Sequence, residues 1–128
     1  MKGDRLHRCA RDRAEELPGS RLEHPFGPEW DVYKVRDKVF MLLTSTTGAE
    51  IVTLKTAPED GDALRRQFDD ITPGYHMNKK HWITLRPGGK LPQDLVRELV
   101  TESYLLVVEN LPRRQRPVDP ATFGNIAL

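Results

Sequence analysis

The spacing of apolar residues changes along this chain from a helical period to a two-residue period, and no other sequence feature constrains the fold as strongly. Near the N-terminus, apolar side chains recur at helical spacing over residues 4–16. Pro18 and Gly19 follow, and they end the helix because proline cannot continue the hydrogen-bond ladder and glycine accepts the backbone conformation of a helix stop. From Trp30 the apolar spacing is that of a strand.

Three consecutive strands are predicted after this change of period. They cover Trp30–Val35 and residues 39–46 and 51–56, which are rich in apolar and β-branched side chains. The connections between them are short, at Arg36-Asp37 and at residues 46–48. Short connections of this kind join antiparallel neighbours, so we expect an antiparallel meander.

The second half of the chain predicts two more helices and two more strands. Pro58 suits the first position of a helix. Strand candidates follow at residues 75–77 and 81–85, and a long helix with one broad apolar face begins at Pro92 and ends before Pro112. The predicted fold class is therefore two-layer α+β, with one antiparallel sheet covered on one face by helices. The predicted order is helix, three strands, helix, two strands, helix.

Size and composition indicate one domain. The chain has 128 residues, of which 38% are hydrophobic and 30% charged. We place the domain at residues 1–112 and interpret residues 113–128, which are rich in proline and polar side chains, as a poorly packed tail. No apolar run approaches the ~20 residues that cross a bilayer. No stretch has the form of a signal peptide either, so we expect a cytoplasmic protein with no membrane partner.

Charge is balanced overall but unevenly distributed. Twenty basic and 19 acidic residues give a formal net charge of +1, which argues against a strong non-specific polyanion binder. However, no acidic residue lies between Asp70 and Asp94. Four cations lie in that segment: Lys79, Lys80, Arg86 and Lys90. This distribution allows a local surface that faces anions.

Catalytic signatures are missing from the sequence. It contains no phosphate-binding glycine loop, dinucleotide fingerprint, zinc-protease motif or nucleophile elbow. Cys9, the single cysteine, lies on the apolar face of the first helix, where a buried thiol is expected rather than a nucleophile. Ser103 lies on the inner face of the last helix, where it is expected to hydrogen-bond a backbone carbonyl. We expect no enzyme activity and no cofactor.

Two histidines raise the question of a metal. His76 and His81 are five residues apart, so on one regular strand their rings point to opposite faces. Only a turn or bulge near Asn78 would bring them together, and no third ligand is evident. We expect no metal and interpret both as polar surface histidines, with a metal or small-ligand site as an alternative.

The stretch from Tyr75 to Trp82 is the most informative for function. It combines aromatic rings, an amide, imidazoles and two ammonium groups: Tyr75-His76-Met77-Asn78-Lys79-Lys80-His81-Trp82. Lysines neutralise phosphates and rings stack on bases, so this mixture suits a nucleic acid. A structural interpretation is equally coherent, with Tyr75 and Trp82 as core residues and Asn78 as a turn former.

Several blocks of this sequence together resemble one known family. They are Pro25-Phe26-Gly27-Pro28, Tyr33-Lys34-Val35, Lys38-Val39-Phe40, Leu54-Lys55, Thr72-Pro73-Gly74-Tyr75-His76-Met77-Asn78-Lys79 with His81-Trp82, Ser103-Tyr104-Leu105-Leu106-Val107-Val108 and Leu111-Pro112. Over residues 17–117 the chain resembles the MmcQ/YjbR family. The resemblance implies a two-layer α+β fold like that of secretion chaperones, and a DNA-binding label based on hairpins that look like a double wing.

The resemblance also implies which residues contact nucleic acid. The matching positions are Tyr75, His76, Asn78, Lys79, His81 and Trp82, while Lys34 and Lys38 flank the first hairpin as the other wing. The acid-free segment adds Lys80 and Arg86. Two positions depart from the family pattern. Asp37 replaces a glycine and adds a negative charge at one wing tip, and Lys80 replaces the commoner arginine.

Two functional hypotheses from different classes follow. The first is a non-enzymatic DNA-binding protein whose basic, aromatic hairpin contacts the phosphate backbone weakly and in a salt-sensitive way. The alternative is a protein-interaction or adaptor module with a chaperone-like fold, in which the aromatic hairpin and the loop at residues 25–30 bind a protein segment.

Overall fold

A six-stranded antiparallel sheet carries the three helices of this protein. The computed structural model describes residues 1–124. In chain order the elements are α1 (Gly3–Glu16), β1 (Ser20–Glu23), β2 (Trp30–Val35), β3 (Lys38–Thr44), β4 (Ile51–Lys55), α2 (Pro58–Gln67), β5 (Ile71–Pro73), β6 (Trp82–Leu85), α3 (Gln93–Glu109) and a short 3₁₀ helix at Arg113–Gln115. The strands lie in the order β1-β2-β3-β4-β6-β5.

The predicted α+β class is confirmed, as is the alternation of helices and groups of strands. The first group holds one strand more than predicted, because β1 pairs antiparallel with β2 and places Ser20 opposite Val35. Strand β1 is a short edge strand whose residues are exposed or half-buried, and three of its four side chains are polar. It lacks the buried alternation by which the other strands are recognised in the sequence.

The hydrophobic core lies between the sheet and α1 with α3, which pack side by side on one face. Leu6 and Ala10 of α1 and Val100 and Tyr104 of α3 are fully buried there. Strand positions facing them alternate along the chain, as expected for a half-covered sheet: Tyr33, Val35, Met41, Leu43, Val52, Leu54, Ile83 and Leu85. Within residues 1–124 no helix packs on the other sheet face, and the loop that carries the candidate site crosses this face.

A buried serine holds α3 to the sheet at a β-bulge. The register between β2 and β3 shifts at Tyr33/Lys34, which leaves Phe40 as the extra residue of β3. Ser103 donates a hydrogen bond to the backbone oxygen of Phe40 and accepts one from the backbone nitrogen of Lys55 at 2.8 Å. Ser103 is fully buried, so these bonds satisfy backbone groups that water cannot reach. The expected backbone role of Ser103 is confirmed.

The segment after α3 packs on the domain, so the prediction of a poorly packed tail is wrong for residues 113–124. The guanidinium Nε of Arg36 donates to the backbone oxygen of Gln115 at 2.9 Å. Val118 and Phe123 pack against the core, and the Phe123 ring centroid lies 6.1 Å from that of Tyr104. The rest of the predicted tail, residues 125–128, lies outside the described residues. Within residues 1–124, no helix is both long and apolar enough to cross a bilayer.

Replacing Ser103 by alanine tests the bulge. Ser103→Ala removes the hydrogen-bond partner of the buried Phe40 oxygen and of the partly buried Lys55 nitrogen, so we expect the free energy of unfolding to fall by about 2–3 kcal/mol. Urea denaturation followed by circular dichroism measures this fall. The control is Ser45→Ala at an exposed serine, which should change the free energy of unfolding by less than about 0.5 kcal/mol. Equal effects of the two variants would contradict the role given to Ser103.

Candidate nucleic-acid interface

The connection between β5 and β6 is a folded loop, residues 74–81, and not the start of a strand. Its base is closed where the backbone nitrogen of Gly74 donates to the backbone oxygen of Trp82 at 2.9 Å. His76 has a φ of +60°, in the left-handed region, which no regular strand contains. The prediction of a strand at residues 75–77 is therefore wrong, while the strand predicted at 81–85 is present as Trp82–Leu85.

Tyr75 turns the loop over the helix-free face of the sheet. Its backbone nitrogen donates to the Thr84 hydroxyl at 2.9 Å. Its ring stacks on Trp30 of β2 with centroids 6.3 Å apart and planes 11° apart. Strand β2 lies three places from β6 in the sheet, a separation of about 14 Å. The Tyr75 end of the loop therefore reaches across the sheet face, whereas its other end, at His81, continues directly into the start of β6.

His76 packs in the same aromatic cluster. Its ring centroid lies 4.0 Å from that of Tyr75 and 6.5 Å from that of Trp30. The side chain is nevertheless exposed on its outer side. Of the rings singled out in the sequence, Tyr75 and His76 therefore pack on each other and on Trp30 at the surface, outside the core that the helices cover.

A row of buried side chains lies on the sheet face that the loop crosses. The row runs through directly paired positions of four strands: Val32, Leu42, Thr53 and Thr84. The hydroxyls of Thr53 and Thr84 share a hydrogen bond at 3.0 Å, and Thr84 also accepts from Tyr75. Burial of these groups on a face without helices is explained by the loop that covers them.

Lys79 and Lys80 occupy the exposed turn at the far end of this loop. The Asn78 side chain accepts a hydrogen bond from the backbone nitrogen of Lys80 at 2.9 Å, and the backbone nitrogen of His81 donates to the backbone oxygen of Asn78 at 3.2 Å. This is the self-bonded turn that asparagine favours. Both lysines are exposed, and neither forms an ion pair within residues 1–124.

The turn between β2 and β3 lies at the same end of the sheet as this loop. Met41 of β3 pairs with Leu54, and the next residue of β4, Lys55, pairs with Trp82. Because β4 runs antiparallel to both β3 and β6, the turn before β3 and the residues just before Trp82 lie at the same end of the sheet. They are separated by three strand spacings, about 14 Å.

This turn holds the predicted contact residue Lys38 together with basic groups that the sequence did not assign to the site. Arg36 and Asp37 have φ of +50° and +66°, so both residues of the turn have a left-handed backbone conformation. Lys38 is exposed and forms no ion pair among the described residues. The bond from Arg36 to Gln115 brings the exposed Arg113 and Arg114 beside the turn. In the sequence these arginines are far from the turn, so the sequence alone does not connect them with it.

Two predicted contact residues, Lys34 and Arg86, do not belong to this group of cations. Lys34 is ion-paired, and Arg86 lies at the opposite end of the sheet. The Lys34 ammonium lies 3.2 Å from a carboxylate oxygen of Glu23, and the Lys34 side chain is 19% exposed. Arg86 follows β6, and its backbone nitrogen donates to the backbone oxygen of Asp70. It therefore lies about 13 Å along the sheet from Trp82, at the opposite end. We remove both from the candidate interface.

The residues considered for other chemistry are placed as follows. Cys9 is buried, as predicted, and burial raises the pKa of its thiol, which disfavours the reactive thiolate. His76 and His81 are exposed, and no group of three or more His, Cys, Asp or Glu side chains in residues 1–124 could hold a metal ion. Trp82 is half-buried on β6, where it pairs with Lys55 of β4. The backbone oxygen of His81 accepts a hydrogen bond from the backbone nitrogen of Thr56 at 2.8 Å.

Truncating Tyr75 tests whether the aromatic stack holds the loop. We expect Tyr75→Ala to lower the free energy of unfolding by about 2 kcal/mol, because it removes the stacked pair and uncovers part of the row beneath it. Amide exchange at residues 76–81 should accelerate at the same time. Tyr75→Phe keeps the ring and is the matched control, with a change below about 0.5 kcal/mol. Unchanged exchange in Tyr75→Ala would show that the stack does not hold the loop.

Comparison with known proteins places the chain in a family. A sequence model of the YjbR family matches residues 15–106. The Escherichia coli O157:H7 protein YbdF is 42% identical over 121 residues, which cover 94% of this chain and 99% of YbdF. YjbR of Escherichia coli K12 is 39% identical over 83 residues, 65% of this chain and 70% of that protein. Both relatives carry names that describe them as uncharacterised, so neither assigns an activity.

Solved structures agree with the fold. The crystal structure of the Deinococcus radiodurans protein DR2400 matches with a TM-score of 0.80 and 34% identity, over 92% of each chain. A crystal structure of a Pseudomonas syringae protein matches with a TM-score of 0.66 and 28% identity, over 83% of this chain and 98% of that one. The match of the family model over most of the chain, together with these relatives, establishes that this protein belongs to the YjbR family.

Proposed function

We propose that this protein binds DNA through the phosphate backbone and acts by binding, without catalysis. The observation that carries the proposal is the pair of ammonium groups at Lys79 and Lys80, exposed and without ion-pair partners in residues 1–124. The packed loop beneath them fixes where they lie. Lysines held in place in this way suit phosphate oxygens, which position a protein on DNA without reading its sequence.

The second basic group supports a duplex as the ligand. Arg36 and Lys38 lie at the β2–β3 turn, at the end of the sheet where β6 begins after Lys79 and Lys80, and the two strand connections are three strand spacings, about 14 Å, apart. The major groove of B-form DNA is about 12 Å wide. Strand connections at this spacing allow the two basic groups to contact phosphates on both sides of one groove, as two wings would.

In this proposal the aromatic rings support the loop, whereas the sequence predicted that they would stack on bases. Tyr75 and His76 already pack with Trp30, so their faces are partly used within the protein. We therefore assign phosphate contact to the cations and assign the rings to support of the loop. Binding of this kind is weak and depends strongly on salt, because each neutralised phosphate releases counterions.

A salt titration of DNA binding tests the proposal. We expect a fluorescein-labelled duplex of about 20 base pairs to bind with micromolar or weaker affinity at low salt, with a log–log salt slope near −3 for three or four phosphate contacts. The variant Lys79→Ala with Lys80→Ala should reduce the magnitude of the slope by about 2 and weaken binding by about tenfold or more. Fluorescence anisotropy measures both quantities.

The matched control removes two lysines elsewhere. Lys2→Ala with Lys90→Ala makes the same change in net charge at two exposed lysines. Both lie near the contact of Met1 with Gly88 and Gly89, at the opposite end of the sheet. We expect the control to keep most of the affinity. No binding at ~100 μM protein, or an equal loss in the two double variants, would overturn the proposal.

A protein-interaction role is the second candidate, and one exposed ring favours it. Phe26, in the loop before β2, is 62% exposed, although large aromatic side chains are usually half-buried or more. Under this alternative, the loop at residues 25–30 would bind a protein segment. Comparison of Phe26→Ser with the Lys79/Lys80 variant separates the two roles, because only the lysine variant should affect DNA binding.

A further inference from the structure

Helices α2 and α3 leave an apolar groove between them on the helical side of the molecule. Helix α2 packs beside β5, whereas α3 packs on β3, β4 and α1. The groove has a volume of about 310 Å³, and its apolar walls come from four half-buried leucines. Leu64 lies on the α2 side, and Leu95, Leu99 and Leu106 lie on the α3 side. We refer to this feature as the α2–α3 groove.

The spacing of the α3 leucines gives the groove a direction and a length. Positions 95, 99 and 106 lie on one stripe of the helix, because they follow at intervals of four and seven residues. Eleven residues of helix span about 16 Å, which equals about three helical turns. An elongated groove of this length between two helices suits a third helix that inserts its own apolar stripe.

Unpaired carboxylates surround the apolar stripe. Asp60, Glu98 and Glu102 line the groove, and none of them forms an ion pair within residues 1–124. Lys55 is the single basic residue among the groove's lining residues in the described chain. The lining therefore carries an excess of two negative charges, which attracts a basic partner and repels a nucleic acid.

We propose that the α2–α3 groove binds a basic amphipathic helix of a partner protein. The leucines would receive the apolar stripe of that helix, and Asp60, Glu98 and Glu102 would pair with its lysines or arginines at the rim. The proposal does not depend on the proposed DNA binding, because the groove shares no residue with the loop at residues 74–81.

A designed peptide tests the groove directly. The probe is a fluorescein-labelled helix of about 15 residues, made of leucine, alanine and lysine, with its leucines on one stripe. We expect saturable binding to the whole protein in fluorescence anisotropy, with NMR shift changes concentrated at Leu64, Leu95 and Leu99. Two control peptides should bind at least tenfold more weakly: one with the same composition and its leucines spread around the helix, and one with glutamate in place of lysine.

Charge reversal at exposed positions keeps the test independent of folding defects. Glu98 and Glu102 are exposed, so Glu98→Lys with Glu102→Lys should fold normally and weaken binding of the lysine peptide roughly tenfold. The same variant should gain affinity for the glutamate peptide. Glu109→Lys, an exposed position on the same helix outside the groove, should change neither affinity. The Lys79→Ala with Lys80→Ala variant should bind the peptide as the unmodified protein does.

Three results would overturn the proposal. The first is the lack of saturable binding of the striped peptide at ~1 mM protein, because a Kd weaker than this would not indicate a specific site. The second is equal binding of the striped and scrambled peptides. The third is a concentration-dependent dimer in sedimentation equilibrium that Glu98→Lys with Glu102→Lys disrupts, which would assign the groove to a second copy of this chain.

Discussion

The contact between Tyr75 and Trp30 determines how the helix-free face of this sheet is covered. It joins a loop at one edge of the sheet to a strand three places away, and the bond from Tyr75 to Thr84 fixes where the loop starts. A stacked aromatic pair and one hydrogen bond each contribute about 1 kcal/mol. Their larger effect is indirect, because they exclude water from the hydroxyls of Thr53 and Thr84, which then satisfy each other.

The covered face explains why the same stretch of chain serves both structure and surface chemistry. Tyr75 packs on Trp30 with His76 beside it, and six residues after His76 the chain rejoins the sheet at Trp82. Between them, Asn78 folds a turn that keeps Lys79 and Lys80 in solvent. The structural and functional interpretations of this stretch therefore apply to different residues and do not compete.

The sequence predicts the regular elements well, because their apolar period reports burial locally. The helix at Gly3–Glu16 and the strand at Trp30–Val35 follow from spacing alone. Residues 75–77 have the aromatic and apolar composition of a strand, and a distant group, the hydroxyl of Thr84, decides their conformation. The sequence also cannot predict that Arg113 and Arg114 lie near the β2–β3 turn. Only the hydrogen bond from Arg36 to the backbone oxygen of Gln115 brings the last segment of the chain to this turn.

The near-zero net charge of the chain conceals two surfaces of opposite sign. Basic groups collect at one end of the sheet, around Arg36, Lys38, Lys79 and Lys80, whereas carboxylates line the α2–α3 groove. Charges separated in this way allow one small domain to attract a negatively charged ligand at one surface and a positively charged ligand at another. A bulk property such as the net charge of +1 therefore describes neither surface.

Proton–proton contacts between Tyr75 and Trp30, measured by NMR in the free protein, test the central claim most directly. The stacked rings predict nuclear Overhauser cross-peaks between the Tyr75 ring protons and the Trp30 indole protons, together with slow exchange of the Tyr75 amide. The Lys79 and Lys80 amides should show no long-range contacts. Absence of the Tyr75–Trp30 cross-peaks, with a fast-exchanging Tyr75 amide, would contradict a loop packed across the sheet.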